Sequence, residues 1–404
     1  MADNFLTRNR KLNPETMFLS VLALVTSTNR EGYSFALQKA WDCLDKNVYQ
    51  TPAKSSFSEA REKLSFEFFK DAFEDDLTRF RKGRKTYRGY DINAVDGSDL
   101  DLPASDDVLK GGYHGSMWSK EFETYYPKMH VVHAYDVVNG TVSIFKHSTK
   151  NSERALTREI AFDFSKKSLT IYDRLYCGHP TFKSHIEAGN LFLVRALTRG
   201  PHLPVCVREF LASSKVDQVA TWIPNKLRRS EALEVRLIKI THPKTKEISV
   251  FVTNAPQRVF SRLELGKFYL KRWEIESSFK DLVATMKMDQ WHSTKINGIL
   301  QEIYCLLWIT NAVKMQMQSV NAADDILAID YIKSNFKLCM QFVMNNLKLL
   351  LRANQKRFFD LLEYWIIKTR EKRRHRSRSY PRVVRSYGTG FNVDNKVPRA
   401  SRCA

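Results

Sequence analysis

The chain has 404 residues, of which 65 are Lys or Arg and 44 are Asp or Glu, so its formal net charge is +21. With 43% hydrophobic and 12% aromatic residues it can build sizeable cores, which excludes a wholly disordered basic protein. The low counts of Gly (15) and Pro (12) exclude collagen-like chains and chains made mainly of linkers. A charge this positive favours a polyanionic partner such as nucleic acid or an anionic membrane surface.

The charge is concentrated in two short runs. Residues 79–88, RFRKGRKTYR, carry six positive side chains and no acid, and residues 368–402 carry a net charge of +10. A single basic run is also typical of a solvated face or a localisation tag. Two separated runs with interspersed aromatic residues favour nucleic-acid contact, because cations neutralise phosphates and rings stack on bases. The candidate DNA contacts in the first run are Arg81, Lys82, Arg84 and Lys85.

The first segment, residues 1–88, is predicted to be a helical DNA-binding segment, with a plain helical bundle as the alternative. Ser65 is placed to cap a helix on which Phe66, Phe69 and Phe73 share one face. The amino-terminal MADNFLTRNR lacks the apolar core of a signal peptide. We therefore expect a cytoplasmic protein.

From about residue 90 the pattern changes to short β-branched and aromatic runs bounded by turn residues, which predicts strands. The apolar stretch from Ile299 to Val313 contains Gln301 and Glu302 and is shorter than the roughly 18 residues of a membrane helix, so it predicts a buried helix. Six cysteines without any C-x-x-C pair argue against zinc and a disulfide framework. The predicted segments are 89–200 (mixed α/β), 201–258 (a β insertion or sheet extension), 259–300 (helical), 301–369 (helices, including ones near 323–334, 336–352 and 355–369) and 370–404 (a basic tail, disordered when free).

The segment FYLKRWEIESSFKDLV holds the most informative pattern. Tyr269, Arg272, Glu276 and Lys280 are separated by three, four and four positions, so all four project from one face of a helix. On spacing alone, such a stripe is also typical of an exposed face crossed by ion pairs.

Three motifs together resemble one family. Tyr269-x2-Arg272-x3-Glu276 is similar to the Y-R-E-K signature of DDE-type bacterial insertion-sequence transposases, in which a helix carries the last catalytic acid. AVDGSDLDLP resembles the context of the family's first acid and supplies Asp96, and LTIYDRLY resembles that of the second and supplies Asp173. The resemblance extends over roughly residues 55 to 385 and is specific because the motifs agree in order and context.

The resemblance implies an α/β protein with an RNase H-like mixed-sheet core. It implies that Asp96, Asp173 and Glu276 are catalytic and bind divalent metal, Mg²⁺ or Mn²⁺, as two ions. The implied activity is cleavage of the DNA ends of a mobile element and joining of the 3′-OH to target DNA. The implied setting is a homo-oligomer on double-stranded DNA in the bacterial cytoplasm, associated with the nucleoid.

The chemistry of three acids agrees with this assignment. Two divalent ions about 3.5 to 4 Å apart relieve charge on both the attacking and the leaving oxygen of a phosphodiester, and Mg²⁺ prefers hard oxygen ligands. Asp99 and Asp101 are alternatives to Asp96, although a shift of one residue exchanges strand faces. Glu274 is an alternative to Glu276, but it is rotated by about 200° around the helix.

Further DNA contacts follow from the same helix. Arg272 and Tyr269 would hold phosphates, and Trp273 would stack on a displaced base unless it faces the core. Arg174 would contact the DNA backbone or pair with a local acid.

The family's signature ends with a lysine seven positions after the Glu, where this chain has Val283, which leaves Lys280 and Lys287 as the candidates to bind the DNA end. Two other functions remain open: a nuclease of the same fold without strand transfer, and a catalytically silent DNA-binding protein derived from a transposase.

Overall fold

The computed structural model describes residues 11–26, 32–115, 122–149, 153–201, 203–224, 231–242, 245–321, 326–327, 331–351, 355–373 and 396–398. An eight-stranded mixed sheet forms the centre of the molecule, in the order β4-β3-β1-β5-β6-β9-β8-β7. Its strands are β1 (Asp91–Asp101), β3 (Lys128–Asp136), β4 (Thr141–Ser148), β5 (Ser168–Tyr172), β6 (Leu191–Arg195), β7 (Asp217–Trp222), β8 (Leu233–Thr241) and β9 (Ile248–Thr253). The pairs β1/β5 and β5/β6 are parallel, and the other neighbours are antiparallel.

Two small two-stranded sheets lie outside this one, and helices precede, interrupt and follow it. The remaining strands are β2 (Phe122–Thr124), which pairs with β12 (Lys396–Pro398), and β10 (Tyr331–Ser334), which pairs with β11 (Arg370–Arg373). The helices are α1 (Pro14–Val25), α2 (Tyr33–Cys43), α3 (Lys54–Lys63), α4 (Glu67–Arg81), α5 (Asp106–Lys110), α6 (Glu153–Ile160), α7 (His179–Ala188), α8 (Val205–Ala212), α9 (Arg262–Lys271), α10 (Trp273–Lys280), α11 (Ile296–Val320), α12 (Phe336–Asn345), α13 (Leu347–Leu351) and α14 (Gln355–Lys368).

The central strands are buried on both faces because alternate residues enter two different cores. Ala94 and Ile171 belong to the larger core, which also contains side chains of α1, α4 and α9 to α12. Val95 and Tyr172 belong to the second core, which is covered by α6, α7 and α8. Helices therefore cover both faces of the sheet, and the predicted α/β, RNase H-like class is confirmed.

The amino-terminal helices belong to the larger core. Phe69 and Phe73 are buried on α4, on the face that the sequence pattern predicts, and α4 and α1 both pack against α11. As far as residues 11–26 and 32–88 are described, this segment shares its core with the rest of the chain. Its predicted role in DNA binding stays a prediction.

A buried ionic network explains the polar residues of α11. Glu302 is 0% exposed and forms a 3.0 Å salt bridge from its Oε1 to Nη2 of Arg61, which is itself buried on α3. Arg61 also donates from Nε to Gln301 Oε1 (3.0 Å) and from Nη2 to the Gly298 carbonyl (2.7 Å). The second carboxylate oxygen of Glu302 accepts from the backbone N–H of His292 (3.1 Å). Gln301 and Glu302 thus join α3 to α11 inside the core.

Three sequence predictions about the periphery need correction or qualification. The helix expected near 323–334 is wrong at its end, because Tyr331–Ser334 pairs antiparallel with Arg370–Arg373. The tail was expected to be disordered, but Arg370–Arg373 and Lys396–Pro398 are strand segments, each paired with a partner strand. Most of residues 370–404 lies outside the described part. The 201–258 segment supplies β7, β8 and β9 as a sheet extension, together with the unpredicted helix α8.

Among the described helices, none is long and apolar enough to cross a membrane.

Candidate active site

Two of the predicted acids follow the last paired residues of two neighbouring parallel strands by the same number of positions. The last parallel pair recorded between β1 and β5 is Ala94 with Ile171. Asp96 and Asp173 each follow two positions later, Asp96 within β1 and Asp173 directly after β5. Because neighbouring strands lie about 4.8 Å apart and side chains alternate, the two carboxylates project from the same face of the sheet at its carboxyl-terminal edge.

The third acid comes from the helical segment that follows β9. Ser261 and Glu264 form a capping box that starts α9, and the chain stays right-handed helical through Arg272 into α10. The helix α10 packs across β1 and β3. It carries Glu276, whose Oε1 accepts a hydrogen bond from Arg272 Nη2 at 3.1 Å. After Lys280 the helix widens into a π-turn at Asp281–Thr285, a feature that is common at functional sites.

Arg272 is the central cation of the cluster. It is 4% exposed, its pKa is raised because Tyr269, Glu276 and Asp173 outweigh the opposing effect of burial, and its Cζ lies 5.8 Å from the Tyr269 ring. Its Nε is buried and has no hydrogen-bond partner in the part of the chain that the structure describes. Arg272 therefore has donor capacity left for an anion.

Burial is the main influence on the Asp96 carboxyl. Burial raises the pKa of the Asp96 carboxyl to about 6, opposed by Arg272 and by the Gly97 N–H, which donates to Asp96 Oδ1 at 3.1 Å. Glu153 and Glu276 raise this pKa further. Burial is thus the largest cause of the raised Asp96 pKa, and Arg272 is the largest effect that opposes it.

The donor set suits a hard divalent cation. Asp96, Asp173 and Glu276 offer carboxylate oxygens, which are the hard ligands that Mg²⁺ and Mn²⁺ prefer. Within the described ranges, no three His, Cys, Asp or Glu side chains are grouped as a metal site. A bound ion would therefore have to draw the three carboxylates closer together.

Two residues of the site were missed by sequence reasoning. Glu153 is the first residue of α6, and its charge raises the pKa of Asp96 although the two residues are more than fifty positions apart in the sequence. His133 is the direct antiparallel partner of Asp96 in β3 and is 1% exposed. Burial and Lys314 lower the His133 pKa to about 3, and neither ring nitrogen has a hydrogen-bond partner among the described residues. Only the strand register, which the sequence does not show, could have identified His133.

The alternative acids have other partners. Asp99 lies 2.6 Å from His130 through Oδ1 and Nδ1, and Asp101 forms an ion pair with Lys128. Glu274 is 4.0 Å from Lys271 and lines a cavity beside α11 on another side of α10. These contacts favour Asp96 and Glu276 over the alternatives.

Several predicted DNA contacts lie on the surface around the acids. Trp273 is 46% exposed, with its ring 5.0 Å from Arg272 Cζ, so the alternative position in the core is wrong. Arg174, next to Asp173, and Lys280, in the last turn of α10, are both exposed. In the described part of the chain neither forms an ion pair.

The basic run ends shortly before Asp91, the first residue of β1, which precedes Asp96 by five positions. Arg81 and Lys82 are exposed at the end of α4. Arg84 instead forms a bidentate ion pair with Asp91, from Nε to Oδ1 (2.6 Å) and from Nη2 to Oδ2 (2.7 Å). The backbone N–H of Lys85 donates to Asn139 Oδ1 at 3.0 Å. Arg84 is therefore already used in attaching the run to the first residue of β1.

Comparisons with known proteins give a family match and a similar solved structure. The family model described as "Transposase DDE domain" matches residues 87–312, more than half of the chain. The chain belongs to this transposase family. A cryo-EM structure of a piggyBac transposase synaptic complex with hairpin DNA is similar with a TM-score of 0.44 at 12% sequence identity, over 90% of this chain and 80% of that chain. No curated protein matches.

Proposed function

We propose that this transposase cleaves the DNA ends of its mobile element and joins the freed 3′-OH to target DNA by metal-dependent phosphoryl transfer. The observation that carries the proposal is that Asp96 and Asp173 each lie two positions beyond the last recorded pair of the parallel strands β1 and β5, with the Glu276 helix packed across β1. Membership of the transposase family supports the same chemistry.

The three acids would hold two Mg²⁺ or Mn²⁺ ions. When bound, such ions lower the pKa of water and relieve charge on the attacking and leaving oxygens. Arg272 would bind a phosphate through its remaining donor, with Tyr269 fixing the guanidinium, and Lys280 and Arg174 would contact the DNA backbone. Trp273 would stack on an unpaired base.

Cleavage hydrolyses one phosphate ester bond, and strand transfer exchanges one phosphate ester bond for another. In cleavage, a water oxygen bonds to phosphorus, the 3′-oxygen of the element leaves as a 3′-OH, and the proton released by water balances it. In strand transfer that 3′-OH attacks a target phosphate and displaces the target's 3′-oxygen. One site serves both reactions, so loss of an essential acid should stop both.

The partners follow from this activity. We propose that double-stranded element DNA and target DNA bind over the surface around Asp96, Asp173 and Glu276. A homo-oligomer would pair the two element ends on nucleoid DNA in the bacterial cytoplasm. The basic run and the residues after Lys368 would add phosphate contacts that are independent of sequence.

A cleavage and strand-transfer assay on linear DNA that carries the element's ends tests the proposal. The wild-type protein with Mg²⁺ should give cut and joined products, and Asp96→Ala should give neither. Cut DNA without joined product would indicate a nuclease without strand transfer. DNA binding by the wild type without cleavage would indicate a catalytically silent DNA-binding protein. Products that persist in Asp96→Ala would overturn the metal assignment.

The basic run offers a matched pair of variants. Lys82→Ala removes an exposed cation, so the plot of log K for DNA binding against log salt should become less steep by about 1. The free energy of unfolding should not change. Arg84→Ala breaks the bond to Asp91 and should instead lower the free energy of unfolding by about 2 kcal/mol. DNA-binding titrations at several salt concentrations and urea unfolding measure the two effects. An unchanged salt slope in Lys82→Ala would contradict the DNA role of this residue.

A further inference from the structure

Glu153 lies against the strand residue that follows Asp96. A Cβ atom added to Gly97 would lie 2.0 Å from Glu153 Cγ, which is closer than real contacts allow. Gly97 follows Val95 by two positions, so its missing side chain would point to the face covered by α6, opposite to Asp96. Glycine in the DGS motif therefore makes room for Glu153.

Tyr176 ties the same carboxylate to the turn that carries Asp173. The Tyr176 hydroxyl donates to Glu153 Oε1, and the Tyr176 ring is 4% exposed. This tyrosine ends the 3₁₀ turn that begins after Asp173, and its backbone N–H donates to the Asp173 carbonyl at 3.2 Å. A chain of contacts thus runs from Asp173 through Tyr176 and Glu153 to the backbone beside Asp96.

Backbone pairing does not supply this connection. The recorded register between β1 and β5 ends at Ala94 and Ile171, two positions before the acids. Beyond that pair, nothing in the ladder fixes the separation of Asp96 from Asp173. The Glu153–Tyr176 contact bridges the two segments just where the ladder has ended.

We propose that Glu153 and Tyr176 are positioning residues that set the separation of Asp96 from Asp173 for divalent metal binding. The inference rests on the proposed function, and it assigns neither residue to the reacting atoms. Residues that orient metal ligands typically contribute about 10- to 100-fold in metal affinity. Losing the Tyr176 hydroxyl would leave both acids in place but with a wider range of separations.

Mn²⁺ binding to the purified full-length protein without DNA, followed by calorimetry, tests the inference independently of catalysis. Tyr176→Phe keeps the buried ring and removes only the donor, and it should weaken Mn²⁺ binding by about 10-fold or more. Glu153→Ala should act similarly, whereas Glu153→Gln, whose amide oxygen still accepts from Tyr176, should stay within about threefold of the wild type. Glu159→Ala, an exposed position of the same helix, is the matched control and should bind normally.

The outcomes separate the inference from the function on which it rests. Normal Mn²⁺ affinity in both Tyr176→Phe and Glu153→Ala, with binding lost in Asp96→Ala, would overturn the positioning role and leave the metal site intact. Normal affinity in Asp96→Ala as well would overturn the metal assignment itself. Equal losses in Glu153→Gln and Glu159→Ala would also overturn the inference, because a general loss of α6 structure would then explain the result.

Discussion

Glu276→Gln is expected to lower the single-turnover rate of DNA-end cleavage by about 1,000-fold or more, which corresponds to roughly 4 kcal/mol in the activation barrier. The substitution keeps the size of the side chain and removes its charge, so one of the three proposed metal ligands is lost. The amide oxygen still accepts from Arg272, so the helix should stay in place and DNA affinity should change little.

Glu274→Gln is the matched control on the same helix. Glu274 faces Lys271 and the cavity beside α11, so its variant should cleave within about tenfold of the wild-type rate. Rates are measured with preformed protein–DNA complexes after addition of Mg²⁺, which separates chemistry from binding. Equal losses in the two variants would show that the helix as a whole, not the Glu276 carboxylate, is sensitive to substitution.

Arg61→Ala is expected to reduce the free energy of unfolding by about 3 to 5 kcal/mol, because it leaves the charge of Glu302 buried without its partner. Burial alone would raise the Glu302 pKa, yet Arg61 and His292 hold it below its ordinary value. These partners thus favour the ionised carboxylate in the folded protein. Urea unfolding at neutral pH, followed by circular dichroism, measures the loss.

Lys295→Ala is the control for Arg61→Ala. It removes a neighbouring ion pair with Glu62 in which both side chains are about half exposed, and such pairs contribute about 0 to 1 kcal/mol. A loss of less than about 1 kcal/mol in Arg61→Ala would mean that Glu302 becomes hydrated or protonated at little cost. The network would then not be the connection that holds α3 against α11.

Local sequence patterns predicted the elements that carry the proposed acids. The strand runs before Asp96 and Asp173 and the helical spacing around Glu276 each lie within one short segment, so the strands and the helix were predictable. The positions of Glu153 and His133 near Asp96 were not predictable, because each comes from a segment that is distant in the sequence. Residue spacing carries no information about such a register.

Charge runs carry little information about how their side chains are used in the fold. A run of cations does not show which members are already paired inside the fold. Arg84 is occupied by Asp91, and Arg88 by Glu264 at 2.8 Å, whereas Lys82 is exposed. The strand at 331–334 was missed for a similar reason, since its partner lies almost forty residues later.

The pairing of β6 with β9 has a consequence for how this transposase can vary. Strands β7 to β9 continue the sheet that carries the acids, so the 201–258 segment is not a detachable module. Removing it would expose β6, with Phe192, Leu193 and Val194 all buried, as a hydrophobic edge open to pairing with other chains. A shortened form would thus need a new cover for β6 or would aggregate, while loops such as the β8–β9 turn remain free to change length.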